Sequence, residues 1–287
     1  MGVHLAMLLH SVISAGTYLA AKRALQELSP WEVALVRFSL AGLFYAALVA
    51  RQRVAIPRRD LVGLALLGLV AIPLNQGLFL WGMARTTPGH GALLYALTPI
   101  FVFLLARWRL GERVTPLKVA GIATAFAGVV VVLLGRGALG LPGARDGLMG
   151  DLLILLAVVA WAVFAVGGKA YAERHGVRTM TGVAITFGSL AYLPFGLAAS
   201  EAAAFERLSP AGWASVAYLV VLTSIVAYLL YYWAMKHAEA SRVAIYSNLQ
   251  PVFTALLAWG LYGEPITSAF VAGGGLVLLG VVLTERG

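Results

Sequence analysis

Long runs of apolar residues, separated by short polar stretches, dominate the pattern along the chain. A helix that crosses a bilayer needs about 20 mostly apolar residues. Ten segments meet that requirement: roughly residues 3–21, 32–50, 61–83, 89–106, 117–134, 149–171, 179–199, 213–235, 241–261 and 267–284. The runs are continuous and lack the alternation of a lipid-facing β-strand. The pattern therefore predicts an all-α polytopic membrane protein with ten transmembrane helices.

Composition supports this class and limits the possible partners. Hydrophobic residues make up 61% of the chain and charged residues 11%, against about 45–50% and about 25% in soluble proteins. The net charge of +9 comes from basic residues that lie between apolar runs, where they act as topology signals. We therefore expect a lipid bilayer and a small-molecule substrate as partners, and no nucleic acid. The absence of cysteine excludes disulfides and thiolate-bound metals, and neither a metal site nor a cofactor is expected.

The chain contains an internal repeat. Displacement by 152 residues produces 15 identities across the 41 positions 81–121, where chance in such biased sequence gives about four. Matched pairs are Trp81 with Trp233, Pro99 with Pro251, Gly111 with Gly263, and Gly121 with Gly273. A weaker similarity, displaced by 147, pairs Lys22 with Lys169. These matches predict a first five-helix repeat at residues 1–137, an inter-repeat loop at 138–148 and a second repeat at 149–287.

The odd number of helices in each unit determines its orientation. After five crossings, the second unit enters the membrane from the opposite side, which gives two inverted five-helix repeats. Inverted repeats are typical of secondary transporters, which place substrate between the two halves and expose it to each side in turn. The sequence therefore predicts transport by alternating access.

Short motifs after the repeated prolines add a family resemblance. Each unit has a proline in its fourth helix, followed by Leu110-Gly111-Glu112 or Tyr262-Gly263-Glu264. In pattern and order the whole chain resembles the EamA-type branch of the drug/metabolite transporter (DMT) superfamily. The resemblance implies ten helices and export of amino acids or other small metabolites. Independently, Glu112 and Glu264 are expected to stabilise helix N-termini.

Polar and aromatic residues at mid-membrane depth mark a candidate site, because such groups are costly in lipid and need partners. The substrate-binding candidates are His10, Ser14, Asn75, Gln76, Tyr95, Thr98, Trp161, Ser224, Tyr228, Asn248 and Gln250. Each residue could instead form a structural hydrogen bond between helices. Together they predict a neutral, aromatic-rich cavity between the halves. Pro99 and Pro251 are expected to kink their helices, as hinges or as packing features.

Three further interpretations concern single residues or small sets. Arg37 lies inside the second span, where it could either snorkel outward or pair with a substrate carboxylate. His10 could carry a proton, but a satisfied core histidine is the preferred interpretation. Small residues in the fifth and tenth spans predict close helix packing; they are Gly121, Ala125, Gly128, Gly273 and Gly280.

The function predicted from these features is non-enzymatic. No metalloprotease or serine-hydrolase motif is present, and no Asp or Glu lies near the middle of a span. A carboxylate is the usual partner of a cationic drug in a low-dielectric cavity. We therefore expect export of a neutral or zwitterionic, amino-acid-like metabolite with at most weak proton coupling. The alternatives are a proton-coupled drug or cation exporter and, less favoured, a membrane enzyme or scaffold. A monomer and a homodimer both fit the sequence.

The distribution of basic residues generates a topology prediction. Alternate loops and tails hold 14 Lys and Arg on one side and 6 on the other, which predicts both termini on the cytoplasmic side of the plasma (inner) membrane. Because the chain lacks cysteine, Arg58→Cys creates a single reporter. A membrane-impermeant maleimide should leave it unlabelled in intact cells and label it after permeabilisation. Labelling in intact cells would reverse the orientation.

Overall fold

A computed structural model describes residues 2–52, 55–110, 115–134, 144–262 and 268–286. Every regular element within these residues is helical. In chain order the helices are α1 (Val3–Ala24), α2 (Pro30–Gln52), α3 (Arg58–Arg85), α4 (Pro88–Tyr95), α5 (Thr98–Leu110), α6 (Pro116–Leu134), α7 (Ala144–His175), α8 (Val177–Ala199), α9 (Ala202–Glu206), α10 (Pro210–His237), α11 (Ala240–Ala244), α12 (Gln250–Tyr262) and α13 (Ser268–Arg286). Gly111, Glu112, Gly263, Glu264 and most of the inter-repeat loop lie outside the described residues.

Six of the described helices are long and apolar enough to cross a membrane. They are α1, α2, α3, α7 from Gly147 onward, α8 and α10. The predicted fifth and tenth spans correspond to α6 and α13, helices of 19 residues each that pack against one another. The protein is therefore an all-helical, multi-pass membrane protein. The count of ten spans remains a prediction, because the fourth and ninth candidates are interrupted.

Both interruptions occur just before a repeated proline. In the first half α4 ends at Tyr95 and α5 begins at Thr98, so that Pro99 is its second residue. In the second half a 3-10 segment, Ile245–Leu249, precedes α12, of which Pro251 is the second residue. A proline in the first helical turn sacrifices no hydrogen bond, because the amides there have no partner within the helix. Pro99 therefore follows a short gap between two helices, and Pro251 follows a 3-10 stretch, so each marks an interruption of its predicted span. A hinge role for these prolines stays a prediction.

Two long helices contain π-helical turns at corresponding positions. Val70–Gln76 lies within α3 and Leu219–Ala227 within α10, and the 152-residue displacement brings these segments into overlap. Pro73 lies in the first segment, while Ser224 Oγ donates to the Leu219 carbonyl at 3.0 Å in the second. Such turns interrupt the regular pattern of backbone hydrogen bonds in an α-helix, and they occur frequently at functional sites. Neither turn was predicted from the apolar pattern.

Helix packing follows the same repeat. Helix α3 packs along α7, and α10 packs along α1. Displacement by one repeat exchanges these two pairs. Helices α2 and α8 pack together, as do α6 and α13, so that each of these pairs joins equivalent helices of the two halves. The central helices α1, α3, α7 and α10 thus form a four-helix group that the other helices flank.

Glycines allow the α6–α13 pair to approach closely. A Cβ added at Gly280 would lie 2.5 Å from both the Ala125 amide nitrogen and the Gly121 carbonyl oxygen. One added at Gly128 would lie 2.5 Å from the Gly273 carbonyl oxygen. The atoms that would clash belong to the backbone and cannot rotate away. The predicted packing role of these small residues is confirmed.

This contact predicts a strong contrast between two glycines of α13. Gly280→Ala should lower the free energy of unfolding by about 1–3 kcal/mol, since the added methyl must push α6 and α13 apart. Gly275→Ala is the matched control, because its Cβ meets nothing within 4 Å and alanine favours helix. Denaturation of both variants in mixed micelles measures the difference. Equal stabilities would contradict the packing account.

Candidate functional site

A cavity of about 60 Å³ lies among the central helices. Residues of α1, α2, α3, α4, α7, α10 and α12 line it, so both halves of the chain contribute. The lining residues are His10, Ser14, Thr17, Tyr18, Arg37, Gln76, Phe79, Tyr95, Trp161, Thr223, Ala227, Tyr228 and Gln250. A volume of this size holds only a few water molecules.

Seven of the eleven candidate residues line this cavity: His10, Ser14, Gln76, Tyr95, Trp161, Tyr228 and Gln250. Two of the other four support its wall directly. Asn75 Nδ2 donates to Tyr95 Oη at 3.1 Å, and Thr98 Oγ1 donates to the Tyr95 carbonyl at 2.5 Å. Tyr95 is thus held at both its hydroxyl and its backbone.

The remaining two candidates, Ser224 and Asn248, do not line the cavity. Ser224 Oγ accepts a hydrogen bond from Arg37 Nε at 2.8 Å. Asn248 is buried just before Pro251, and neither polar atom of its side chain has a partner among the described residues. The structure offers no account of that asparagine.

Aromatic rings form two parts of the cavity wall. Tyr18, Phe79 and Tyr95 make one cluster, with all three pairs of ring centroids 5.7–5.9 Å apart. Trp161 anchors the other, 5.3 Å from Tyr228 and 5.1 Å from Tyr231. Tyr18 Oη also donates to Gln250 Oε1 at 2.6 Å, which joins α1 to α12. The predicted residues Tyr95, Trp161 and Tyr228 are thus brought to one cavity. Tyr18 and Phe79 were missed because nothing in an apolar pattern separates cavity-facing from packed rings.

Two hydrogen bonds that flank the cavity are related by the repeat. Asn75 Nδ2 in α3 donates to the Ala157 carbonyl of α7 at 2.6 Å. His10 Nδ1 in α1 lies 3.0 Å from the Ala227 carbonyl of α10. Displacement by 152 converts position 75 into 227, and displacement by 147 converts 10 into 157. Both contacts therefore join a helix of the first half to a helix of the second at repeat-equivalent places, although the equivalent helix supplies the side chain in one contact and the carbonyl in the other.

His10 is fully engaged in this contact. A carbonyl oxygen only accepts, so Nδ1 carries the proton that it donates to Ala227. Ser14 Oγ lies 3.2 Å from the other ring nitrogen, Nε2. Both nitrogens have partners within a neutral imidazole. These contacts favour the interpretation of His10 as a satisfied core histidine that also faces the cavity.

Arg37 contradicts the expectation of a neutral cavity. Its side chain is 0% exposed, so it does not snorkel outward. Nε donates to Ser224, but Nη1 and Nη2 have no hydrogen-bond partner among the described residues. The described lining residues include no carboxylate. The cavity thus contains a positive charge that those residues do not compensate.

A pair of lysine contacts lies beyond the cavity. At the end of α1, Lys22 Nζ donates to the Thr86 carbonyl at 2.7 Å and to the Met83 carbonyl at 3.1 Å. Near the end of α7, Lys169 Nζ donates to the Ala238 carbonyl at 2.7 Å. The two displacements that relate the halves convert Lys22 into Lys169 and Thr86 into Ala238. We call these interactions the Lys22 contact and the Lys169 contact.

These lysine contacts lie at opposite ends of the helix group. Thr86 Oγ1 donates to Asp151 Oδ1 at 2.6 Å, which connects the Lys22 contact to the first part of α7. Lys169 lies eighteen residues farther along the same helix, or about 27 Å at about 1.5 Å per residue. That separation approaches the roughly 30 Å hydrocarbon thickness of a bilayer.

Ionic contacts reinforce the end that contains Lys169. Lys118 and Arg242 both pair with Glu239, the residue after Ala238. Burial acts to raise the pKa of Glu239, but the hydrogen bond and charge of Lys118 outweigh it and hold that pKa below its usual range. Glu239 is therefore ionised at neutral pH. Arg174 and His175 likewise bind Asp60, at 2.9 Å and 2.6 Å.

The described residues contain no group of three or more His, Cys, Asp or Glu side chains that could hold a metal ion. The pattern of contacts is instead that of a polar, aromatic cavity with a repeat-related lysine contact toward each end of the helix group. Such a site can bind and release a small molecule, and it offers no assembled nucleophile or acid–base pair.

Comparisons with known proteins agree with this assessment. The model of the EamA-like transporter family matches residues 1–134 and 148–286. An uncharacterized transporter of Archaeoglobus fulgidus is 31% identical over 98% of this chain and 96% of its own length. The uncharacterized inner membrane transporter YedA of Escherichia coli is 27% identical, over 96% of this chain and 88% of its own.

A protein of known crystal structure shares the fold. Its TM-score is 0.77 at 20% sequence identity, and the alignment covers 99% of this chain and 97% of that one. Family and relatives confirm the expectation of a transporter rather than an enzyme, and they support a multi-pass protein of the inner membrane. The chain belongs to the EamA-like transporter family.

Proposed function

We propose that this transporter exports a small zwitterionic, amino-acid-like metabolite by alternating access, with both termini in the cytoplasm. The observation that carries the proposal is the placement of the cavity between repeat-related contacts. Side-chain-to-backbone hydrogen bonds flank the cavity in both halves, and lysine contacts close the helix group at both ends. Two halves with equivalent contacts can exchange conformations, which is the basis of alternating access in inverted repeats.

The lysine contacts act as the two gates in this proposal. Each joins the end of one central helix to the end of the next, across the route from the cavity to the membrane surface. A hydrogen bond from a charged group contributes about 1.5–3 kcal/mol, which is enough to bias a conformational equilibrium without locking it. Both contacts are formed in the described conformation. Transport requires that the contacts break one at a time.

The cavity chemistry disfavours the alternative of cation export. A cationic drug would meet the uncompensated charge of Arg37, and the described lining residues offer no carboxylate to balance it. The carboxylate of a zwitterion balances that charge, and its ammonium can interact with the aromatic faces of Trp161 and Tyr228. His10 is occupied by two hydrogen bonds, which agrees with weak or absent proton coupling. Export, rather than uptake, follows from the family resemblance.

The gate model predicts that loss of each lysine exposes the cavity to a different side of the membrane. In a chain without native cysteine, Ala227→Cys places one thiol in the cavity wall. Adding Lys22→Met should raise the labelling rate of that thiol by an impermeant maleimide about tenfold or more from the outside, since the charge-assisted hydrogen bonds to the Thr86 and Met83 carbonyls are lost. Adding Lys169→Met should have the same effect from the cytoplasmic side. Oriented membrane vesicles allow both measurements.

Lys236→Met is the matched control, because Lys236 is an exposed lysine at the same end as Lys169. It should leave both labelling rates unchanged. If Lys22→Met and Lys169→Met act from the same side, or behave like the control, the gate model is wrong.

The cavity wall yields a second prediction. Trp161→Ala should weaken substrate binding about tenfold, because it removes the ring that contacts Tyr228 and Tyr231. Trp108→Ala should bind normally, since Trp108 is 79% exposed and distant from the lining residues. Counterflow of amino acids in proteoliposomes measures both variants. Equal affinity in the two would remove Trp161 from the site.

A further inference from the structure

Arg37 is the most unusual side chain of the cavity. It lies on α2, is completely buried, and lines the cavity from the side. The guanidinium carbon lies over the ring of Phe38, 5.0 Å from its centroid, in a cation–π contact. Nε is fixed by Ser224 on the π-helical turn of α10. The orientation of the guanidinium is therefore defined, while its two terminal nitrogens remain without protein partners among the described residues.

The charge of Arg37 requires compensation. Arginine stays protonated in proteins, and an unpaired charge in a low-dielectric interior is costly. Three carboxylates near the ends of the cavity-forming helices are already engaged. Glu32 accepts hydrogen bonds from the backbone amides of Ser29 and Glu201. Asp60 binds Arg174 and His175, and Asp151 accepts from Thr86 Oγ1. Each is thus engaged elsewhere.

The geometry of the unpaired atoms defines what would compensate them. Nη1 and Nη2 of a guanidinium form a planar fork that matches the two oxygens of a carboxylate. Nε is already used, so the side of the fork formed by Nη1 and Nη2 is the one left for a ligand. A water molecule could satisfy the hydrogen bonds but not the charge.

Further unpaired polar atoms lie in the same cavity, Gln76 Oε1 and Tyr228 Oη. Gln76 Nε2 donates to Asn75 Oδ1 at 2.6 Å, which fixes the amide so that Oε1 is the free end. Oε1 is buried, and the Tyr228 hydroxyl is the neighbouring protein group that interacts with the Gln76 side chain. A carbonyl oxygen in this position suits a cationic N–H group. The cavity thus holds unpaired donors and an unpaired acceptor, the complement of a zwitterion.

We propose that Arg37 binds the carboxylate of the transported substrate and that Gln76 Oε1 accepts a hydrogen bond from its ammonium group. This inference rests on the proposed function, since it assigns polar anchors within the same central site. Arg37 is then a specificity residue, which separates carboxylates from their amides.

Ligand-induced thermal stabilisation of the purified transporter tests the assignment. The twenty standard amino acids are compared first, and each one that binds is then compared with its amide and with the analogue that lacks the amino group. We expect at least one amino acid to bind, with affinity at least tenfold above both analogues, because each analogue lacks one charged partner. Binding of amides as tight as that of the acids would overturn the role of Arg37. Equal binding of the deaminated analogue would overturn the role of Gln76, and no binding by any amino acid would overturn the whole assignment.

Two variants separate recognition from folding. Arg37→Lys keeps the charge but loses the planar fork of donors. It should lower the affinity for the bound amino acid about ten- to hundredfold while leaving the transporter folded. Arg51→Gln, on the exposed end of the same helix, is the matched control and should bind normally. If Arg37→Lys retains wild-type affinity and acid-over-amide selectivity, the fork is not the anchor.

The proposed function can fail separately from this inference. Proteoliposomes that transport amines or amides but not carboxylates would retain the transporter mechanism and reject Arg37 as an anchor. Proteoliposomes that move no amino acid, amine, amide or nucleoside at all would reject the proposed function itself.

Discussion

The need to satisfy polar groups away from water governs this molecule. Within a bilayer an unpaired polar group costs several kcal/mol, which favours a partner on another helix for a side chain that departs from the apolar pattern. Asn75 and His10 find one on neighbouring backbone carbonyls, and Thr17 finds one on Thr223 at 2.8 Å. The central helices are joined at these points, while the flanking pair α6–α13 relies on glycine contacts instead. Hydrogen bonds therefore stabilise the central helices, and close backbone packing stabilises the flanking pair.

Much of the fold could be predicted from the sequence, because bilayer thickness imposes a length on apolar helices. The long helices α1, α2, α3, α7, α8 and α10 coincide with predicted spans, and the small residues of α6 and α13 do pack as expected. The breaks before Pro99 and Pro251 were misassigned, because an apolar run continues across them and hides the change of helix. The π-helical turns were missed for the same reason: composition is unchanged where only the hydrogen-bond ladder shifts.

The candidate site was predictable in position but not in orientation. Depth in the membrane brought seven of the chosen residues to one cavity, yet depth does not distinguish a residue in the wall from one behind it. Asn75 and Thr98 hold Tyr95 from outside the lining. The sequence left two interpretations of Arg37 open, since its distance from the helix end permits either snorkelling to the surface or burial in the protein. Only the contact with Ser224 of α10, far away in sequence, decides for burial.

The contacts around the cavity follow the repeat, whereas the residues that line the cavity do not, and this difference bears on the proposed mechanism. The lysine contacts occupy equivalent positions, and so do the contacts of Asn75 and His10. The cavity itself is asymmetric: Gln76 corresponds to Tyr228, Ser14 corresponds to Trp161, and Arg37 has no basic counterpart at either repeat displacement. Alternation between two sides requires only that the closures be equivalent, so that neither open state is strongly preferred. Recognition imposes no such requirement, because the substrate is itself asymmetric. Under the proposed mechanism, the repeat therefore constrains the gates while leaving the residues between them free to specialise.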